Sequence, residues 1–181
     1  MSNSQNFKSK VALVTGSSSG IGAETAILFA KFGAQVVITG RNKEKLQKVF
    51  DRCKSAAQES TFKTANPVIQ FIGDINHIEF CKELVESTVK NFGKIDILVN
   101  NAGFGKPFSI YDPNYLKNFT EMFNTNVRSI VLLSQLVVPY LEQTKGVIVN
   151  VSSMGSIRPF SPVRFINFIK SFYNQLILSF S

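Results

Sequence analysis

An apolar run, Val11-Ala12-Leu13-Val14, breaks off into Thr15-Gly16-Ser17-Ser18-Ser19-Gly20-Ile21-Gly22, and no other stretch of the chain constrains its fold so tightly. Four apolar residues ended by Gly and Ser read as a buried parallel strand. Beyond the glycines, Ile21, Ile27, Leu28 and Phe32 fall close to helical spacing. A strand, a glycine turn and a helix set free backbone N–H groups at the positive end of a helix dipole, a place for an anion such as a pyrophosphate. Gly16 is expected to make the tight turn. Gly20 would let backbone approach a ligand, and Gly22 would let the helix pack on the strand. Alone, the motif is also an ordinary strand-to-helix turn, so the rest of the chain decides.

Downstream of the glycines, strand alternates with helix. The pattern predicts strands over 10–15, 35–39, 68–72, 95–100 and 146–152. Between them it predicts helices over 21–32, 42–58, 76–91 and 114–143, the last interrupted near Pro139, with a final apolar helix from 163 onward. Gly93 is placed to close the third helix. Strictly alternating strands and helices imply a doubly wound parallel sheet with helices on both faces, a Rossmann-like α/β fold in three layers. The 181 residues, without repeats or an internal linker, read as a single domain over 1–181.

Composition narrows the function classes. An apolar fraction of 44% with 18% charged residues suits a soluble globular chain. No apolar run approaches the roughly 20 residues of a membrane helix, and the polar first ten residues lack a signal peptide's apolar centre. Cys53 and Cys81 show no metal-ligand spacing and read as reduced thiols, so a cytoplasmic protein with no metal is expected. The formal charge of +8 comes from scattered lysines (Lys43, Lys45, Lys48, Lys82, Lys90), a pattern of solvated helix faces rather than of a nucleic-acid surface.

At the end of the second strand, 18 residues beyond Gly22, a fold that prefers NAD would carry Asp or Glu for the ribose hydroxyls. Gly40 stands there, with Arg41 next to it. A carboxylate would repel a 2′-phosphate and a guanidinium can grip it, so NADP(H) is expected over NAD(H). The turn Asn100-Asn101-Ala102-Gly103 ends the fourth strand, at the carboxyl edge where such sheets bind ligands.

With Thr15–Gly22 and Asn150-Val151-Ser152-Ser153, that turn makes the chain resemble the short-chain dehydrogenase/reductase family, in order and spacing, from about residue 8 to 170. The resemblance implies hydride transfer between a nicotinamide and a carbonyl or alcohol carbon, with proton transfer at oxygen. It implies that Gly16, Ser18, Ser19 and Ile21 line the pyrophosphate and adenosine ribose, with Gly20 and Gly22 counted among the cofactor-binding residues. Asp74 and Ile75 match the pair that contacts adenine, and Asn101, Ala102 and Gly103 would pass beside the ribose. Asn126 matches the asparagine that helps hold a proton-relay water, and Ser153 the serine that hydrogen-bonds the substrate's carbonyl oxygen. Lys170, 17 residues after Ser153, matches the lysine counted with both the catalytic and the cofactor-binding residues.

Two departures qualify the activity. The family sets a tyrosine four residues before that lysine, one helical turn away, where the ammonium lowers the phenol's pKa. That position here is Ile166, which has no proton to give. Tyr173, seven residues on, lies about 10 Å further along a helix axis and does not replace it. The chain as written is expected to reduce carbonyls poorly or not at all. The family's sheet also continues for two further strands, so an incomplete substrate wall is expected. A catalytically inactive NADP(H)-binding protein or partner subunit, or a non-functional fragment, are the alternatives. Phe104, Phe108 and Phe160 suggest an apolar substrate, and the apolar faces of helices 114–143 and 163–181 suggest a homo-oligomer.

Overall fold

A computed structural model describes residues 7–64 and 66–153. Five parallel strands, β1 Val11–Val14, β2 Gln35–Gly40, β3 Val68–Ile72, β4 Ile97–Asn100 and β5 Val147–Asn150, form one sheet in the order β3-β2-β1-β4-β5. The helices are α1 Gly20–Lys31, α2 Lys43–Glu59, α3 Ile78–Phe92, α4 Tyr115–Phe123 and α5 Ser129–Thr144, with a π turn over Asn124–Arg128. β1 and β4 are buried along their whole length because helices cover them on both sides.

The alternation of side chains along β1 separates two cores. Ala12 and Val14 join α1 and α2 through Ala23, Ala26, Ala30, Leu46, Val49 and Cys53. Leu13 points the other way, into Leu84, Val85, Leu133, Val137 and Leu141 of α3 and α5. The small residues of α1 let that helix lie close on the sheet and bring its first turn to the end of β1. This is the doubly wound α/β arrangement expected from the alternating pattern.

Local chemistry sets the helix ends. Asn42 caps α2, its Oδ1 accepting the Lys45 N–H at 2.8 Å. Gly93 closes α3 in the left-handed region at φ 78° as anticipated, its N–H reaching the Val89 carbonyl at 2.7 Å. One element differs from expectation. The long helix is not interrupted at Pro139, which lies inside α5. Both Pro139 and Gln135, whose carbonyl proline leaves without its helical donor, face solvent, so water can take the missing place. The irregularity falls instead at the π turn, where the Ser129 N–H bonds the Asn124 carbonyl five residues back.

At the opposite edge of the sheet Asp96, 2% exposed, is clamped by Lys10 Nζ at 2.9 Å, Lys94 Nζ at 3.0 Å and the Val11 N–H at 2.9 Å. Burial alone would raise its pKa, but these three donors outweigh burial and hold the carboxyl below its ordinary value of 3.8.

Candidate active-site cleft

The carboxyl ends of the strands open into a cleft of about 530 Å³. Gly16, Ser18, Ser19 and Ile21 form one wall, and Gly40, Arg41, Gly73, Asp74 and Ile75 another. Asn101, Ala102, Gly103 and Phe104, with Thr39, Thr125, Val151, Ser152 and Ser153, complete it. Eleven of the candidate cofactor-binding and catalytic residues thus meet at one place: Gly16, Ser18, Ser19, Ile21, Arg41, Asp74, Ile75, Asn101, Ala102, Gly103 and Ser153.

The turn after β1 is held by groups far away in the chain. Thr15 Oγ1 accepts the N–H groups of Asn101 and Ala102, each at 3.0 Å, and donates to the Val99 carbonyl at 3.3 Å. Asn101 Nδ2 donates to the carbonyls of Thr15 at 2.9 Å and Gly16 at 3.2 Å. The Asn101 side chain therefore braces the glycine turn. Ser17 bonds the Val14 carbonyl and accepts the Thr39 N–H, tying β1 to β2. Sequence reasoning gave no role to the side chains of Thr15, Ser17 and Thr39, whose signal was only that these polar residues stand at or just past the carboxyl end of a buried strand.

The glycines do different work. Gly16 has φ 63°, and a Cβ there would fall 2.7 Å from Ala102 Cα. A Cβ on Gly22 would lie 2.3 Å from Asn101 Nδ2 and 2.6 Å from the Gly16 carbonyl oxygen. Gly22 was expected to admit the strand; its close neighbours are instead the Asn101 amide and the turn itself. Gly20 has φ 58° and open space before it. Gly20 and Gly22 do not themselves line the cleft. α1 begins there without an acidic residue in its first turn, and Ser19 makes no side-chain bond to that turn. Its first N–H groups keep the donor capacity that a helix start cannot use internally.

At the far wall Arg41 Nη1 stands 3.8 Å from Asp74 Oδ2, a loose pair with Arg41 71% exposed. Asp74 Oδ1 also accepts the Asn76 N–H at 2.9 Å. A Cβ on Gly40 would meet Ser18 Cβ and Oγ at 3.1 Å, so a longer side chain at position 40 would displace Ser18.

Asn126 stands behind the cleft rather than in it. Buried to 0% exposure, its Oδ1 accepts the Phe104 N–H at 2.9 Å and its Nδ2 donates to the Phe104 carbonyl at 2.8 Å. Both ends of the amide are spent on that one residue, so the side chain acts as a clamp. Ser153 sits in the cleft wall just past β5. Lys170, Ile166, Tyr173, Phe160 and the helix expected from 163 onward lie outside the described residues.

No thiol competes for the chemistry. Burial pushes Cys53 up to about 12, against a smaller lowering by Arg52 and a smaller raising by Glu24. Burial also pushes Cys81 up to about 11, with Asp74 raising and Arg128 lowering it. Both are protonated at neutral pH and unreactive. Among the described residues no group of His, Cys, Asp and Glu side chains could hold a metal ion. Lys43, Lys45 and Lys48 on α2, and Lys82 and Lys90 on α3, are exposed to solvent.

Known proteins resemble this arrangement over most of the described chain. An 11-beta-hydroxysteroid dehydrogenase-like protein of Arabidopsis thaliana is 35% identical over 151 residues, covering 83% of this chain and 48% of that one. A 7alpha-hydroxysteroid dehydrogenase of Paraclostridium sordellii is 40% identical over 154 residues, covering 82% of this chain and 54% of its own. The chain spans about half the length of the curated relatives it matches. Among solved structures, a 7α-hydroxysteroid dehydrogenase in complex with NADH and 7-oxo glycochenodeoxycholic acid has a TM-score of 0.84 at 32% identity, covering 97% of this chain and 66% of that chain. Residues 10–164 match the family model described as short chain dehydrogenase. The glycine turn, the braced Asn101 and the sheet order therefore stand in a chain that belongs to the short-chain dehydrogenase family.

Proposed function

We propose that this chain is an NADP(H)-binding domain of the carbonyl–alcohol oxidoreductase class. The observation that carries the reading is the anion end of the cleft: an acid-free helix start beside Gly16, with Gly40 and Arg41 facing it across Ser18. Those residues fit a dinucleotide. Gly16, Ser18, Ser19 and Ile21 would hold the pyrophosphate, Asp74 and Ile75 the adenine, and Asn101 to Gly103 the ribose, with Gly20 and Gly22 shaping the turn. When bound, the nicotinamide supplies or accepts the hydride. Ser153 would donate its hydroxyl hydrogen to the carbonyl oxygen of the substrate. Asn126 would keep Phe104 and its loop in place, and Lys170 is proposed for the cofactor and the proton path. An apolar substrate suits Phe104 in the wall.

Ile166 favours a second reading. Without a phenol at that position no side chain matched by the family delivers the proton, and binding without turnover is then the activity. The proposed setting is the cytoplasm, with no nucleic-acid partner. No described helix is long and apolar enough to cross a membrane. A homo-oligomer through the 114–143 segment, where Leu116 and Val131 are exposed, or through 163–181, accompanies either reading.

Kinship does not decide the cofactor, since the 7α-hydroxysteroid dehydrogenase of known structure holds NADH. Arg41 does. Titration by calorimetry should show tighter binding of NADPH than NADH. Arg41→Ala should lose about tenfold for NADPH and little for NADH, as one charge-assisted contact at an exposed site is worth. Equal affinity of the unmodified chain for the two cofactors would overturn the preference.

A further inference from the structure

A line of polar contacts runs from the cleft wall at Asp74 to Thr125, which also lines the cleft, and is not needed to explain the dinucleotide cradle. It starts at Asp74, which faces Arg41 on one oxygen and takes the Asn76 N–H on the other. Asn76 then reaches out of its own loop. Its Nδ2 donates to Thr125 Oγ1 at 2.9 Å, and its carbonyl accepts from Arg128 Nη1 at 3.3 Å. Thr125 and Arg128 both belong to the π turn. The next residue, Asn126, grips the Phe104 backbone, and a Cβ on Gly103 would fall 2.7 Å from its Oδ1.

The π turn is the element that can change. It holds one residue more than α-helical hydrogen bonding needs. Return to α register would rotate residue 126 by about 100° and take its amide away from Phe104. Asn76 holds that turn by two bonds 49 and 52 residues apart in sequence. Its own Oδ1 is buried without a partner, a cost carried by a side chain fixed in one orientation.

We infer that Asn76 is a positioning residue that couples the adenine end of the cleft to the π turn and, through it, to Asn126. The inference rests on the proposed NADP(H) reading and adds a consequence. A phosphate that draws Arg41 away leaves Asp74 to Asn76, which tightens the Asn76–Thr125 bond and stabilises the π register. Linkage makes the coupling reciprocal.

The probe is 2′,5′-ADP, which carries the adenine end and no nicotinamide. Amide hydrogen exchange over 124–128 should slow by about fivefold or more when it binds the unmodified chain. In Asn76→Ala and in the near-isosteric Thr125→Val the slowing should shrink to about twofold or less, while Thr125→Ser, which keeps the hydroxyl, should retain it. Circular dichroism checks that each variant is folded. Should Asn76→Ala fail to fold, the Thr125 pair decides by itself. Binding without slower exchange in the unmodified chain, or undiminished slowing in Thr125→Val, overturns the coupling and leaves the cofactor reading intact. Failure of 2′,5′-ADP to bind at all overturns both.

Discussion

Single atoms decide much of this cleft. Gly22→Ala puts a methyl group onto Asn101 Nδ2 and onto a backbone oxygen that cannot swing aside. It should destabilise by about 1–3 kcal/mol and abolish NADPH binding, which denaturant titration and calorimetry would read together. The same substitution at Gly20 meets no neighbour and costs only the strain of its positive φ, about 1–2 kcal/mol. Asp96 gives a second residue-scale test. Its pKa is depressed in the folded chain, so its contribution is fully present above the unfolded value and fades as pH falls through the folded one. Asp96→Asn should therefore lose about 1–3 kcal/mol near neutral pH, with the gap between the two proteins closing below pH about 4. A gap that widened in acid would contradict the clamp. The glycine spacing and Arg41 were legible because each needs only a few neighbouring residues. Asn101 as a brace and Asn126 as a clamp were not, since their partners lie 86 and 22 residues away.

At the scale of elements, the alternating pattern located the strands and helices of the described residues nearly to their ends. It misplaced the irregularity in the long helix. One inserted residue shifts the apolar pattern by a single step of about 100°, no wider than the apolar stripe of a helix, so the π turn left no clear mark, whereas proline carries a rule about lost hydrogen bonds that assumes no water at hand. The solvated side of α5 removes that assumption. Pro139→Ala should leave the helix path in place and raise the melting temperature modestly, because alanine restores the donor and has the better helical propensity. A clear fall in melting temperature would mean that the ring packs on something that matters.

For the whole molecule, the proposed catalysis turns on position 166, and stability turns on the joining of two cores through β1. Ile166→Tyr should raise carbonyl reduction with NADPH by about 10²–10⁴-fold if proton delivery is the missing step. No gain in initial rate, with cofactor binding unchanged, would place the defect elsewhere. Saturating NADPH at about 100 times its dissociation constant should stabilise the chain by about 2.7 kcal/mol, a signal available whether or not turnover occurs.

The bonds from Thr15 to Asn101 also set a timetable. They join residues 86 apart, and β1 sits at the centre of the sheet with β4 as a later neighbour. During synthesis the first strand and its glycine turn leave the ribosome long before the strand that completes them. Until about residue 102 has emerged, the turn lacks its Asn101 brace and the edge of β1 that pairs with β4 stands open. Capture of the proposed dinucleotide thus belongs to the late steps of folding, and a nascent chain halted before β4 would carry the family's signature without its grip.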